Sequence, residues 1–488
     1  MTVATAATAP VATGQRARLA AWFRRDGGVA LAAFAIAQAG LLFWWAANFP
    51  GLFSPDSLDY IWQSTTGNWS NHHSVPYTAL VWLSLQLTGG VAALTLGQTV
   101  AMAAGVAYVL TGLRRVGVPA GAVLPAAALL VALPPVGTFF ACVWKDVGFV
   151  IAATWLLGTL VRLVAATPER RRGALVWLFG AEAVLLAVFR QNGFLVVAFV
   201  ALVASIVLAG ARVRVGLAGL VAIVAALGLN MVALPAIGVK NGFAGVSVEA
   251  FAGDIAVAYR HRPETFTDAD RAVLTSVAPM SVWAETGTCL STDTTVYHPE
   301  YDRDAAISQS DALVDVWWRV VRRMPGEVLA TRWCRGSIAW SVASTPGLSR
   351  NPNPWSAKTY LARDARMAQT PYRSAVVSKP LDPTVYRLAQ DGMALANRRG
   401  LEWLTWRGAT LAYVAYAVVG FAAWRRRQPL LLLLVTPVAA VQLSVLAVNN
   451  VQAARYMAVP YVLGVLLLPL LFVRRPAGSP AVEVGEDG

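Results

Sequence analysis

The sequence has 488 residues, 57% of them hydrophobic and 14% charged, with a mean hydropathy of +0.55 and a formal net charge of +14. Such hydropathy over this length excludes a single soluble core and implies many membrane spans. The arginines gather in short connectors between apolar runs, as in cytoplasmic loops, which excludes nucleic acid as the partner behind the positive charge.

Residues 1–27 read as an Ala/Thr-rich cytoplasmic tail carrying Arg16, Arg18, Arg24 and Arg25. The apolar run that follows reaches Asn48 without a small-residue cleavage site, so it reads as an uncleaved anchor and not as a signal peptide. A span needs about 20 apolar residues. Ten runs qualify: 28–47, 91–112, 119–140, 147–166, 173–189, 193–210, 215–236, 408–424, 429–448 and 454–472. Arg114/Arg115, Arg170/Arg171/Arg172, Arg212/Arg214, Arg425/Arg426/Arg427 and Arg474/Arg475 then fall on the side of the N-terminus, which the positive-inside rule makes cytoplasmic. Counting residues 76–88 as a span would put those clusters outside, so they read as an interfacial or re-entrant helix. The expected architecture is all-α and polytopic, with a bundle over 28–236, an extracytoplasmic, largely helical domain over 237–405, spans over 406–473 and a cytoplasmic tail over 474–488.

Polar groups collect on the opposite side. The first outer loop, 48–90, carries Asp56 and Asp59 three residues apart, on one face if helical, followed by His72 and His73. A solvated loop is the plainer alternative. Lys145 and Asp146 open the fourth run beside Trp144, Arg190 sits in the turn FRQNGF, and Arg455 begins the last run. Each of these could serve only as an interfacial ion pair or a snorkelling side chain. Glu182, inside the fifth run, reads as structural, because a carboxylate is costly there. The turn holding His298, Glu300 and Asp302 reads as solvated. Cys289 and Cys334 share the 237–405 segment, where a disulfide can persist, but only geometry decides whether they bridge. No CxxC, HExxH or Gly-rich phosphate loop is present.

At a membrane–water boundary, carboxylates with Lys and Arg suit a reaction between a hydroxyl and a phosphate-bearing lipid. The carboxylate takes a proton, and the cation stabilises the leaving phosphate. The pattern resembles the GT-C superfamily of membrane glycosyltransferases that use polyprenyl-phosphate-linked sugars. Pro55-Asp56-Ser57-Leu58-Asp59-Tyr60 matches that superfamily's acidic P-D/E-x-x-x-Y setting, and His72-His73-Ser74-Val75-Pro76 stands where a His-Pro-Pro element usually follows. A bacterial branch is similar at three further places: Trp144-Lys145-Asp146, Arg190-Gln191-Asn192-Gly193, and Arg455-Tyr456-Met457-Ala458-Val459-Pro460. The resemblance implies transfer of a sugar from a polyprenyl-phosphate donor to an extracytoplasmic cell-envelope acceptor, in a plasma membrane with both termini cytoplasmic. It implies Asp56 as the general base. Asp146 would be a second acid that orients the acceptor or holds a divalent cation. The substrate-binding candidates are Asp59, Tyr60, His72, His73, Lys145, Arg190, Asn192, Arg455 and Tyr456, with tryptophans such as Trp283, Trp317, Trp318, Trp333, Trp340 and Trp355 as sugar-stacking surfaces or core. A transporter or flippase of lipid-linked glycans is the alternative, and a non-catalytic assembly partner is a third. Polar groups gathered at one face and the lack of a detectable repeat argue against transport.

Overall fold

In the computed structural model, which describes residues 26–169, 173–345 and 347–475, the apolar runs become helices packed side by side. Arg16, Arg18, Arg24, Arg25 and Arg170, Arg171 and Arg172 lie outside the described residues. Among those that are described there is no β-strand, only four isolated bridges. Six helices are long and apolar enough to cross a membrane: Asp26–Ala47, Ala92–Arg115, Lys145–Ala165, Arg212–Ala236, Pro429–Val448 and Ala454–Phe472. The first shows why. Val29, Ala33, Ala37, Leu41 and Trp44 recur every three or four residues and are buried, whereas Leu31 and Leu42 on other faces are exposed. A helix packed on one side and bathed by lipid on the other has this pattern.

Against the ten expected spans, six helices among the described residues, or seven with a bent pair counted once, are long and apolar enough to cross a membrane. The bent pair is the expected 119–140 span, which breaks into Ala120–Ala132 and Pro134–Phe140 at an angle of 73°. Leu133 precedes a proline and is extended, with φ −76° and ψ 113°. The proline ring keeps the residue before it out of the helical region, so the helix stops there. Ala174–Phe189 and Gly193–Val207 are apolar but only 16 and 15 residues long. Residues 408–424 lie in a helix that runs from Gly408 to Arg426.

The bundle has two unlike ends. At one, Arg114 pairs with Asp26 at 2.7 Å, Arg474 N–H donates to Gly117, and Arg426 donates to the Arg474 carbonyl. At the other, Leu52 pairs in parallel with the Ala141–Val143 segment, and Ser74 donates to the Val188 carbonyl. The second end holds Pro55–Thr66, a helix that begins with Pro at its first position and Asp56 in its first turn, and ends at Gly67 in the left-handed region, φ 75°. Next comes Val75–Thr88, whose 14 residues give roughly 21 Å, too short to span. Its Leu80, Trp82, Leu83 and Leu87 are exposed while Tyr77, Val81 and Leu85 are buried.

Residues 237–405, expected as one domain, divide their packing. A helical module around 243–335 has its own core, running from Val248 to Val328 with Trp283 fully buried in it. Trp283 is therefore core and not a stacking surface. Trp318, Trp333, Trp340 and Trp355 are exposed, and Trp333 stacks on Trp340 at 5.0 Å. Cys289 and Cys334 are bridged. Residues 349–382 instead run back over the Pro55–Thr66 helix. Ala357, Met367 and Val376 pack with Phe53 and Leu58, and Ser378 donates to the Gly51 carbonyl at 2.7 Å.

Candidate functional site

Asp56 meets Arg455, 399 residues later in the chain, in a hydrogen-bonded ion pair of 2.7 Å. The helix start that carries Asp56 is pinned from beneath. Ser57 donates to the Val143 carbonyl at 2.8 Å, and Trp144 Nε1–H donates to Ser54 at 2.7 Å. The Arg455 guanidinium also lies over the Trp144 ring, 4.8 Å from its centre. Trp144 thus supports both partners of the pair.

Asp146, in the first turn of the Lys145–Ala165 helix, is 2% exposed and faces two guanidinium groups, Arg190 at 3.4 Å and Arg455 at 4.0 Å. Neither of its oxygens has a hydrogen bond. Arg190 lies over Tyr456, 4.6 Å from the ring centre. Its turn is tight because Gly193 packs on the preceding helix, where a Cβ would stand 2.2 Å from the Leu186 carbonyl oxygen. Lys145 Nζ is 3.2 Å from His73 Nδ1. An ammonium can only donate, so Nδ1 accepts and the ring proton sits on Nε2, 3.6 Å from Asp59.

The two carboxylates of the first loop part company. Asp59 accepts from Gln63 at 2.6 Å and from Arg366 of the returning 349–382 segment at 3.0 Å. Burial pushes the Asp59 carboxyl above its ordinary value, against Arg366, which lowers it. Burial also raises Asp56, but the Arg455 and Lys145 charges outweigh it and hold the carboxyl well below the usual range. Burial and then Lys145 hold His73 well below its ordinary value, and burial with Arg303 and Lys145 brings His72 to about 4. Both imidazoles are therefore neutral at pH 7.

Three expectations need correction. Tyr60 is fully buried, edge-on to His73 and Tyr77, with its hydroxyl enclosed, so it packs the loop and does not face a substrate. The Asn192 amide donates to Ser444 at 2.7 Å and ties the turn to the Pro429–Val448 span. Its neighbour Gln191 donates to the Asn71 and His72 carbonyls, which fixes the histidine loop. A divalent cation at Asp146 does not fit, because its neighbours are arginines. Among the described residues no three His, Cys, Asp or Glu side chains converge as cation ligands. Glu182, as expected, is held within the bundle, accepting from Thr159 at 2.9 Å. Asp302 caps a helix by accepting from the Ala305 N–H.

The 243–335 module adds groups with no warning in the sequence. Its root is clamped at two points. Lys240 and Gly242 bond to the Trp69–Asn71 loop, and Thr292 N–H donates to the Asn450 carbonyl at 2.8 Å, five residues before Arg455. Glu249 pairs with Arg303, whose guanidinium lies over Tyr297, and Arg303 reaches His72 electrostatically. Asp293 feels Arg455 and Asp56 across the same space.

No family model matches the sequence. No curated protein matches it either. Among solved structures, the crystal structure of the Archaeoglobus fulgidus oligosaccharyltransferase in complex with Zn and sulfate is similar at a TM-score of 0.39 and 13% identity, over 89% of this chain and 48% of that one. The chain spans about half the length of that protein. An overlap this loose carries no activity across.

Proposed function

We propose that the protein is a membrane glycosyltransferase that moves a sugar from a polyprenyl-phosphate donor to a hydroxyl acceptor on the extracytoplasmic side of a plasma membrane. The observation that carries this reading is the meeting of Asp56 with Arg455, beside Lys145, Arg190 and Asp146, from segments scattered over 400 residues. Such a group pairs a carboxylate that can take a proton with cations that can hold a phosphate. Arg455 also lines a cavity with Phe139, Trp406, Ala458, Tyr461 and Val462. A cation beside an apolar cavity suits a headgroup with a hydrocarbon tail.

In this reading the acceptor oxygen attacks the anomeric carbon as Asp56 takes its proton. The bond from that carbon to the phosphate oxygen breaks, and its electron pair leaves with the polyprenyl phosphate. Arg455, Arg190 and Lys145 stabilise the charge that develops on that oxygen. By the positive-inside rule, the end that gathers Arg114, Arg426 and Arg474 is taken as cytoplasmic, which supports an outer side for the opposite end with Asp56 and Arg455. The 243–335 module, with Asp293, Glu249 and Arg303 turned toward the site, contributes to acceptor selection.

Asp56→Asn tests the assignment. Asn keeps the volume and an oxygen but cannot take the proton, so transfer from radiolabelled polyprenyl-phosphate sugars in reconstituted vesicles should fall by roughly 10²–10⁴. Asp59→Asn should cost far less, since Asp59 is already committed to Gln63 and Arg366. Near-normal turnover in the double substitution would remove this loop from the chemistry.

A further inference from the structure

Only part of the Arg455 guanidinium is in use. Nη1 donates to Asp56 at 2.7 Å and stands 4.0 Å from Asp146, while Nε and Nη2 have no hydrogen-bond partner among the described residues. Asp146 is buried with both oxygens lacking hydrogen bonds, so it balances the charge of Arg190 and Arg455 without occupying their donors. In water such an edge would cost nothing. In a buried site, unused donors beside an unbonded carboxylate mark room for another anion.

The charges say what kind of anion. Within the inner cluster, Arg455, Arg190 and Lys145 supply three positive charges against the two of Asp56 and Asp146, with His72 and His73 neutral; Asp59 shares Arg366 with Asp364, and Asp293 faces the cluster from the 243–335 module beside the Glu249–Arg303 pair. The inner cluster thus carries a surplus of one positive charge at most, lessened by Asp293, which a phosphodiester monoanion suits and a diphosphate exceeds.

Asp56 as it stands is a poor base, because the charge-assisted bond of Arg455 to its Oδ2 stabilises the ionised carboxylate. We propose that a phosphodiester headgroup docks on the free Nε–Nη2 edge of Arg455, and that sharing the guanidinium in this way is what frees Asp56 to take the acceptor's proton. The donor then has to bind before the acceptor can be activated. This rests on the glycosyl-transfer reading above and adds its order of events.

Other charges near Asp56 do not compete for this role. Lys145 and the neutral His73 face it from the Lys145–Ala165 helix and its own loop, with His72 behind. Asp59 and Tyr60 share its helix, and Glu249, Asp293 and Tyr297 face it from the 243–335 module. Tyr456 lies beside Arg455. Among the described residues, Arg455 makes the hydrogen bond to the Asp56 carboxylate.

The test uses the full-length protein in nanodiscs and citronellyl methyl phosphate, a short prenyl phosphodiester, as probe. The Asp56 carboxyl is followed by infrared difference spectra of wild type minus Asp56→Asn as pH is lowered. The expected result is saturable probe binding that raises the Asp56 midpoint by about one pH unit or more, the size expected for a like charge nearby. In Arg455→Gln the midpoint should already be raised, and the probe should not move it. If the probe binds through Arg455 and leaves the midpoint in place, the sharing is wrong while the donor reading stands. If it does not bind, both fail. Citronellyl diphosphate binding tenfold tighter than the diester would overturn the single-charge inference.

Discussion

Two buried aspartates in this molecule each face two arginines, and their geometries are opposite. Asp254, in the 243–335 module, is fully enclosed and saturated. It accepts from Arg332 at 2.6 Å, from Arg335 at 2.8 Å and from Trp317 at 2.9 Å. Asp146, at the bundle end, is just as dry yet holds Arg190 and Arg455 at 3.4 and 4.0 Å with no hydrogen bond at all. Burying a charge is costly unless its partners are well placed. Asp254 meets that demand for the fold alone, whereas at Asp146 the donors remain unspent. The contrast sets the candidate site apart from a purely structural pair more sharply than burial or charge does.

The largest effect that separates the two is on stability. Asp254→Asn removes the charge that Arg332 and Arg335 depend on, and breaking a buried pair in this way costs about 3–5 kcal/mol. The module should lose its thermal transition or fail to express. Asp146→Asn should destabilise less than Asp254→Asn, since its ion pairs are longer, no hydrogen bond is lost and Arg455 keeps Asp56, and should lower turnover, with Asp146→Glu restoring part of it. Equal destabilisation by both would erase the distinction drawn here.

Exchanging the arginines sharpens the same contrast. Arg455→Lys keeps a charge but loses the planar fork, with its free edge, so the donor KM should rise by roughly 10–100-fold with the melting temperature unchanged. Arg332→Lys, by the same loss, should lower the melting temperature and leave donor KM alone. Unchanged donor kinetics in Arg455→Lys would return that residue to snorkelling.

Much of the candidate site is legible in the sequence, because a membrane chain concentrates its polar chemistry where apolar runs end. Asp56, Lys145, Asp146, Arg190 and Arg455 could be read as one group from that rule, and they do converge. What the sequence hid depends on contacts between distant segments. Nothing local marks Trp144 as the support of both Asp56 and Arg455, or Gln191 as the clamp on the histidine loop. The return of Arg366 onto Asp59 is equally silent, since a half-exposed arginine in a polar stretch has no periodicity to betray it. Tyr60 shows the reverse error. A tyrosine inside a motif invites a substrate role, yet helical spacing turned its ring into the loop's core, onto His73 and Tyr77. The break at Leu133 was written in Pro134 and Pro135, and hydropathy alone passed over it.

A third aspartate facing two arginines, Asp270, gives the smallest effect and grades the comparison. It accepts from Arg319 at 2.7 Å, from Arg323 at 2.6 Å and from the Thr267 N–H at its helix cap, but both arginines are about one-third exposed. Burial raises its carboxyl, and the bonds from Arg323, Thr267 and Arg319 outweigh that and bring it to about 2, below the ordinary 3.8. A depressed carboxyl adds stability above its unfolded value and loses it as pH falls through its folded value. The module's melting temperature should therefore hold above pH 4 and drop between pH 4 and 2. Solvent screening of the arginines leaves a contribution of about 1 kcal/mol. Asp270→Asn should lower the melting temperature at pH 7 and flatten that drop, whereas Asp254→Asn should unfold the module across the range. If Asp270→Asn were as damaging as Asp254→Asn, exposure of the arginines would not be what grades these three sites. The loose pairing at Asp146 would then need a different cause.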